Sequence, residues 1–228
     1  MSDRIQKKIL CFGDSNTFGY NPSNKQRYNN NERWTKLLEK ILNDKNNSSY
    51  EYNVIEEGKI GRSMFISLNM KESQPAIIEF PIIYNKYAPV DYIVICLGTN
   101  DLRSDFNLDS ITIATGVEKI IKLIQRIDIT KNAKTVLVCP PRLSDDFNLI
   151  KSFNFDKFST VKSYDLPLLY KEVANMNNCL FMDAGSFAKV SSVDGVHFSN
   201  IDHENFAREI AQVIYEHETR YNNNEDSK

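Results

Sequence analysis

The stretch Ile9-Leu10-Cys11-Phe12-Gly13-Asp14-Ser15-Asn16 decides how the rest of the chain is read. Its four apolar residues form a short β-type run, and the glycine that ends the run opens a polar turn. The same design returns at Tyr92 to Leu97, which is followed by Gly98-Thr99-Asn100-Asp101. Further β-type runs stand at Tyr52 to Ile55, Thr135 to Cys139 and Leu180 to Met182. Between them the apolar residues take helical spacing. Trp34, Leu37, Leu38 and Ile41 stand at i, i+3, i+4 and i+7; Ile113, Val117, Ile120, Ile121 and Ile124 repeat the stripe, and Phe206, Ile210, Val213 and Ile214 do so near the end. Strands alternating with helices predict an α/β fold with a five-stranded parallel sheet covered on both faces, because each parallel connection needs a crossover.

No Gly/Ser linker or internal repeat divides the chain, so one domain is expected over residues 1–220. The Asn-rich tail, 221–228, has no apolar stripe and is expected to fray. Asn29-Asn30-Asn31 and Asn46-Asn47 read as surface loops. Pro81 and Pro167 interrupt apolar stretches and read as helix first turns or kinks.

Composition narrows the function classes. The 228 residues are 41% hydrophobic and 25% charged, with 28 Lys+Arg against 30 Asp+Glu and a net charge of -2. This near-balance, without a dense basic run, makes nucleic acid or an anionic surface a poor partner. The 4 Cys and 3 His are too few and too scattered for a disulfide scaffold or a zinc module, so neither metal nor cofactor is expected. The apolar run after the charged amino terminus is too short for a signal-peptide core or a membrane span. A cytoplasmic protein is therefore expected, with Cys11, Cys96, Cys139 and Cys179 as inert buried thiols.

Ligands of open parallel sheets bind at the carboxyl ends of the strands, where the strand order reverses. With the order 2-1-3-4-5, Ser15 and Asn100 face one crevice. A single Gly-Asp-Ser tripeptide is also an ordinary turn, in which Gly permits an unusual backbone angle and Asp caps it. A third element separates the two readings: Ser192-Val193-Asp194-Gly195-Val196-His197-Phe198-Ser199, just before the last amphipathic segment. An Asp three residues before a His lets the carboxylate reach Nδ1 while Nε2 points away, which fixes the tautomer of a general base. A Ser hydroxyl needs such a base with an orienting group behind it, so Ser15, His197 and Asp194 are the candidate catalytic residues. Candidate oxyanion donors are the Ser15 N–H, the Gly61 N–H and the Asn100 carboxamide, although Gly61 reads equally as a turn or helix-start glycine. His203 and His217, among Glu204, Glu216 and Glu218, read as solvated or helix-face residues. Ser199 and Asp202 read as a capping box that starts the last helix.

Together these residues resemble the SGNH, or GDSL-type, serine hydrolases. The four blocks are Gly13-Asp14-Ser15-Asn16, Gly61-Arg62, Gly98-Thr99-Asn100-Asp101 and Asp194-Gly195-Val196-His197, in the family's order and across nearly the whole chain. Phe18-Gly19-Tyr20, Glu32-Arg33-Trp34, Val54 to Gly58, Leu97 to Leu102 and Phe181 to Ser186 are most similar to the arylesterase and acyltransferase branch. The resemblance implies a flavodoxin-like three-layer α/β/α sandwich and metal-independent hydrolysis or transfer of short-chain acyl esters. It also implies Ser15 as nucleophile, His197 as base, Asp194 as its orienter, and Ser15, Gly61 and Asn100 as the oxyanion hole. It further implies a small-molecule ester as partner and a homo-oligomeric assembly. Asn16 departs from the Leu that many relatives carry. Phe147, Phe153, Phe155 and Phe158, between Pro140 and Lys162, could line an acyl pocket, make an oligomer contact or cover the sheet. The competing classes are a non-catalytic or carbohydrate-binding relative of the same fold, and a flavin or nucleotide binder. The latter is disfavoured because Gly13-Asp14-Ser15 puts a carboxylate where a phosphate would sit.

Overall fold

Alternate residues of the first strand face two different cores. Ile9 and Cys11 pack into one and Leu10 and Phe12 into the other, all fully buried, as a central strand of a two-sided parallel sheet requires. The computed structural model describes residues 4–44, 49–66, 74–128 and 133–225. The expected loop at Asn46-Asn47 lies outside them.

The strands are β1 (Ile5–Gly13), β2 (Tyr50–Gly58), β3 (Tyr92–Cys96), β4 (Lys134–Cys139) and β5 (Leu180–Asp183). They form one parallel sheet in the order β2-β1-β3-β4-β5. The order reverses at β1, which lies between β2 and β3, so the turns after β1 and β3 are neighbours at the carboxyl edge. β1 begins four residues before the apolar run, because Ile5 to Lys8 pair only with β2, while Ile9 to Gly13 pair with both neighbours.

Helices α1 (Ser15–Phe18), α2 (Trp34–Asp44), α3 (Ala76–Tyr87), α4 (Ser110–Ile127), α5 (Phe147–Ile150), α6 (Lys157–Met176) and α7 (Asn200–Glu225) connect the strands and follow the last one. Trp34 and Leu38 of α2 share one core with Phe206, Ile210 and Ile214 of α7. Phe80 of α3, the Ile113-to-Ile124 stripe of α4 and Leu166 and Tyr170 of α6 fill the other. The result is a three-layer α/β/α sandwich. Among the described residues no helix is long and apolar enough to cross a membrane.

Several expectations change. Pro81 and Pro167 lie inside α3 and α6 rather than in a first turn; each costs one helical N–H, which tertiary packing offsets. The segment expected to fray from Tyr221 begins as helical backbone, since α7 runs to Glu225, and residues 226–228 lie outside the described residues. His203 is not solvated but fully buried, because it precedes Phe206 and Ala207 by three and four residues and shares their inward face. Its Nδ1 accepts the Trp34 backbone N–H at 3.3 Å, the Tyr28 and Phe198 rings meet it edge-on, and burial pushes its pKa down to about 3. His217, three residues beyond Ile214, is half-buried with Tyr92 Oη 2.8 Å from Nδ1. Cys11, Cys96 and Cys139 are buried and Cys179 half-buried; burial raises every thiol pKa.

Candidate active site

Ser15 is the first residue of α1, immediately beyond the carboxyl end of β1. Asp14 caps this single turn, its Oδ1 accepting the Asn16 N–H at 2.9 Å. Close approach requires a glycine before it: a Cβ on Gly13 would lie 2.0 Å from Thr17 Oγ1 and 2.6 Å from the Cys96 carbonyl. The hydroxyl is thus held at the switch point of the sheet, and Ser15 is only 4% exposed.

The loop between β5 and α7 brings His197 to the same place. Gly195 takes a positive φ of 70° and packs so tightly that a Cβ would approach Ser144 Cβ to 2.6 Å. The turn lets Asp194 Oδ1 accept the backbone N–H groups of both Val196 and His197 at 3.0 Å. Asp194 Oδ2 lies 2.6 Å from His197 Nδ1, and His197 Nε2 lies 2.8 Å from Ser15 Oγ. Burial pushes the Asp194 carboxyl up, but the hydrogen bond and charge of His197 and the two backbone N–H groups outweigh it and hold the pKa below the ordinary carboxylate value. Carboxylate, imidazole and hydroxyl are therefore joined in line.

The loops after β2 and β3 close the remaining sides. Gly13 C=O accepts the Lys59 N–H at 3.1 Å and Arg62 Nη1 at 2.7 Å, which ties the Gly61 loop to the Ser15 turn. Arg62 also pairs with Glu79 of α3 at 3.0 Å and lies over the Phe12 ring. Asn100 Nδ2 donates to the Arg62 C=O at 3.0 Å, and Asp101 Oδ1 accepts the Met64 N–H at 2.9 Å. The three blocks that carry Ser15, Gly61 and Asn100 thus share one hydrogen-bond network. One of the two Asn100 amide protons is used in that network, leaving one for another acceptor. Burial raises the Asp14 carboxyl and pushes Asp101 up to about 7.

Two aromatic rings flank the imidazole: Tyr20 at 4.4 Å between centroids and Phe153 at 5.6 Å in an edge-on contact. The aromatics between Pro140 and Lys162 thereby divide into different roles. Phe155 is buried in the core, Phe153 stands over His197, and Phe147 and Phe158 are exposed. Tyr20 was not a candidate from residue spacing, because its place beside His197 exists only once residues far apart in the chain have met. Among the described residues no group of three or more His, Cys, Asp and Glu side chains is placed to hold a metal ion.

The model of the GDSL-like lipase/acylhydrolase family matches residues 11–203, from inside β1 to the first turn of α7. The chain belongs to this family. No match is found among curated protein sequences. Among solved structures, a carbohydrate acetylesterase family member from Sinorhizobium meliloti is 28% identical, with TM-score 0.83 over 91% of this chain and 97% of that one. The M. smegmatis aryl esterase is 26% identical, with TM-score 0.82 over 92% and 99%. A lipase/acylhydrolase from Enterococcus faecalis, 21% identical with TM-score 0.63, shares the fold. The GDSL block of the family is here Gly13-Asp14-Ser15-Asn16, with Asn in the position of the Leu.

Proposed function

We propose that this carboxylic ester hydrolase cleaves short-chain, acetyl-type esters through a covalent acyl-enzyme on Ser15. The observation that carries the reading is the relay of 2.6 Å from Asp194 to His197 Nδ1 and 2.8 Å from His197 Nε2 to Ser15 Oγ. A hydroxyl is a weak nucleophile until a base removes its proton, and the carboxylate holds the imidazole in the tautomer that can do so. His197 Nε2 takes the Ser15 proton as Oγ bonds to the ester carbonyl carbon. The resulting oxyanion is held by the Ser15 and Gly61 N–H groups and the Asn100 amide; one donor of this kind contributes about 3 to 4 kcal/mol to the transition state. The C–O bond to the leaving alcohol then breaks, and His197 Nε2 gives that alcohol its proton. Water, or a second alcohol in the transfer reaction, loses a proton to His197 while attacking the acyl carbon, and Ser15 Oγ leaves and recovers the proton. The solved relatives named as carbohydrate and aryl esterases support small esters as substrates. Tyr20 and Phe153, beside the imidazole that hands over this proton, give the leaving alcohol an aromatic wall.

Hydrolysis of activated esters of increasing acyl length, with Ser15→Ala as control, tests the reading. Turnover should be highest with acetyl and absent in the control; an equal rate in the control would overturn it.

A further inference from the structure

The family's block names Leu after the serine, and this chain has Asn16, which is 1% exposed. A buried carboxamide is tolerated when both of its ends are satisfied. Here both go to the peptide groups on either side of His197: Oδ1 accepts the Phe198 N–H at 2.9 Å, and Nδ2 donates to the Val196 C=O at 3.4 Å. The side chain acts as one rung of backbone pairing across the histidine. Its own backbone is fixed as well, since Asn16 N–H donates to Asp14 and the Trp34 indole N–H donates to the Asn16 C=O at 3.1 Å. The loop's other backbone bonds stay within it, as from Ser191 N–H to the His197 C=O at 2.7 Å, or reach Ser144 and, from Lys189 N–H at 2.8 Å, the Asp202 carboxylate of α7. Those bonds shape the loop but do not set its distance from the nucleophile turn.

We propose, resting on the roles given above to Ser15 and His197, that Asn16 is a positioning residue that holds His197 Nε2 against Ser15 Oγ. Because Asn16 adjoins the nucleophile and clasps the backbone around the base, it ties the two reacting side chains into one rigid unit. A Leu has the branching and heavy-atom count of this side chain without its donor and acceptor. It would leave the loop to dock by packing alone.

The test measures kcat and KM on an activated acetyl ester for the wild type, Asn16→Leu, Asn16→Ala and the Ser15→Ala control, with thermal melting to establish folding. Both Asn16 variants should lose about 10- to 100-fold in kcat with KM held within about threefold, since misplacing a reacting group by about 1 Å costs this much. A folded variant whose kcat stays within about twofold of wild type, or whose loss is carried by KM, overturns the proposal. If Asn16→Leu does not fold, Asn16→Ala decides by the same criteria. Wild-type turnover that survives Ser15→Ala overturns the nucleophile assignment and the positioning role together. Ser15-dependent turnover matched by Asn16→Ala overturns the positioning role alone.

Discussion

Two histidine-centred clusters stand at opposite edges of one sheet. At the carboxyl edge His197 lies between Asp194 and Ser15; at the amino edge His217 Nδ1 lies 2.8 Å from Tyr92 Oη, which donates to Glu218 at 2.7 Å. Composition alone would rank them alike, and the amino edge even borders a cleft of about 720 Å³ lined by Lys7, Asp128, Lys134 and Glu218 among others. The difference is in what each hydroxyl can do. Burial, followed by the hydrogen bond and charge of Glu218, pushes the Tyr92 phenol above its ordinary range, so it keeps its proton at neutral pH. Glu218 is also paired with Lys7 at 2.5 Å. That cluster pins α7 to the starts of β1 and β3. At the other edge the Ser15 hydroxyl lies 2.8 Å from His197 Nε2, and His197 Nδ1 lies 2.6 Å from Asp194, the arrangement proposed above to activate it. Cavity volume is therefore a poorer guide here than the direction of the strands.

The largest expected effects separate the two clusters most sharply. Ser15→Ala or His197→Ala should lower kcat by on the order of 10⁴- to 10⁶-fold with little change in melting temperature, whereas Tyr92→Phe should leave kcat/KM within about twofold. Steady-state kinetics beside a melting curve checks both. Asp194→Asn keeps an oxygen for the Val196 and His197 N–H groups but presents an amide to Nδ1, which selects the wrong tautomer. A fall of about 10³- to 10⁴-fold in kcat is expected. At the amino edge the readout reverses: Glu218→Gln should cost about 1 to 3 kcal/mol in urea denaturation, through loss of the Lys7 pair, with kcat unchanged.

The smallest effect concerns pH. Asp101, raised to about 7 by burial, holds its proton more tightly in the folded protein than in the unfolded chain, where it titrates near ~3.9. Its contribution to stability is full below ~3.9 and is lost as pH rises toward 7. His203, pushed down to about 3, contributes in the opposite sense: its share is full above ~6.5 and is lost as pH falls. Asp101→Asn removes the first dependence and leaves the second. Urea denaturation at about pH 5 and pH 7.5 should then show stability rising more with pH in the variant than in the wild type.

The sheet was legible because its central strands are short apolar runs ending in glycine-started turns, and their order follows from the crossover rule. Ser15, His197 and Asp194 were legible because the Asp-to-His spacing is local and the last loop belongs at the carboxyl edge. Helices α3 and α6 were not. α3 is apolar almost all round and contains Pro81, and α6 contains Pro167 and exposes Phe158, Val161 and Leu168, so neither shows a clean stripe. His203 was misread because the glutamates near it suggested a solvated face. Its spacing of three and four residues from Phe206 and Ala207 carried the correct signal. Tyr20, Phe153 and the clasp of Asn16 on the His197 loop arise from contacts between distant segments, which no local pattern encodes.

The central claim is that Ser15 alone among the hydroxyls is made nucleophilic by the Asp194–His197 relay. Labelling the protein with a fluorophosphonate and mapping the adduct by peptide mass spectrometry tests it directly. One modification is expected, on Ser15, abolished by His197→Ala; an active protein labelled elsewhere, or left unlabelled, would contradict the relay.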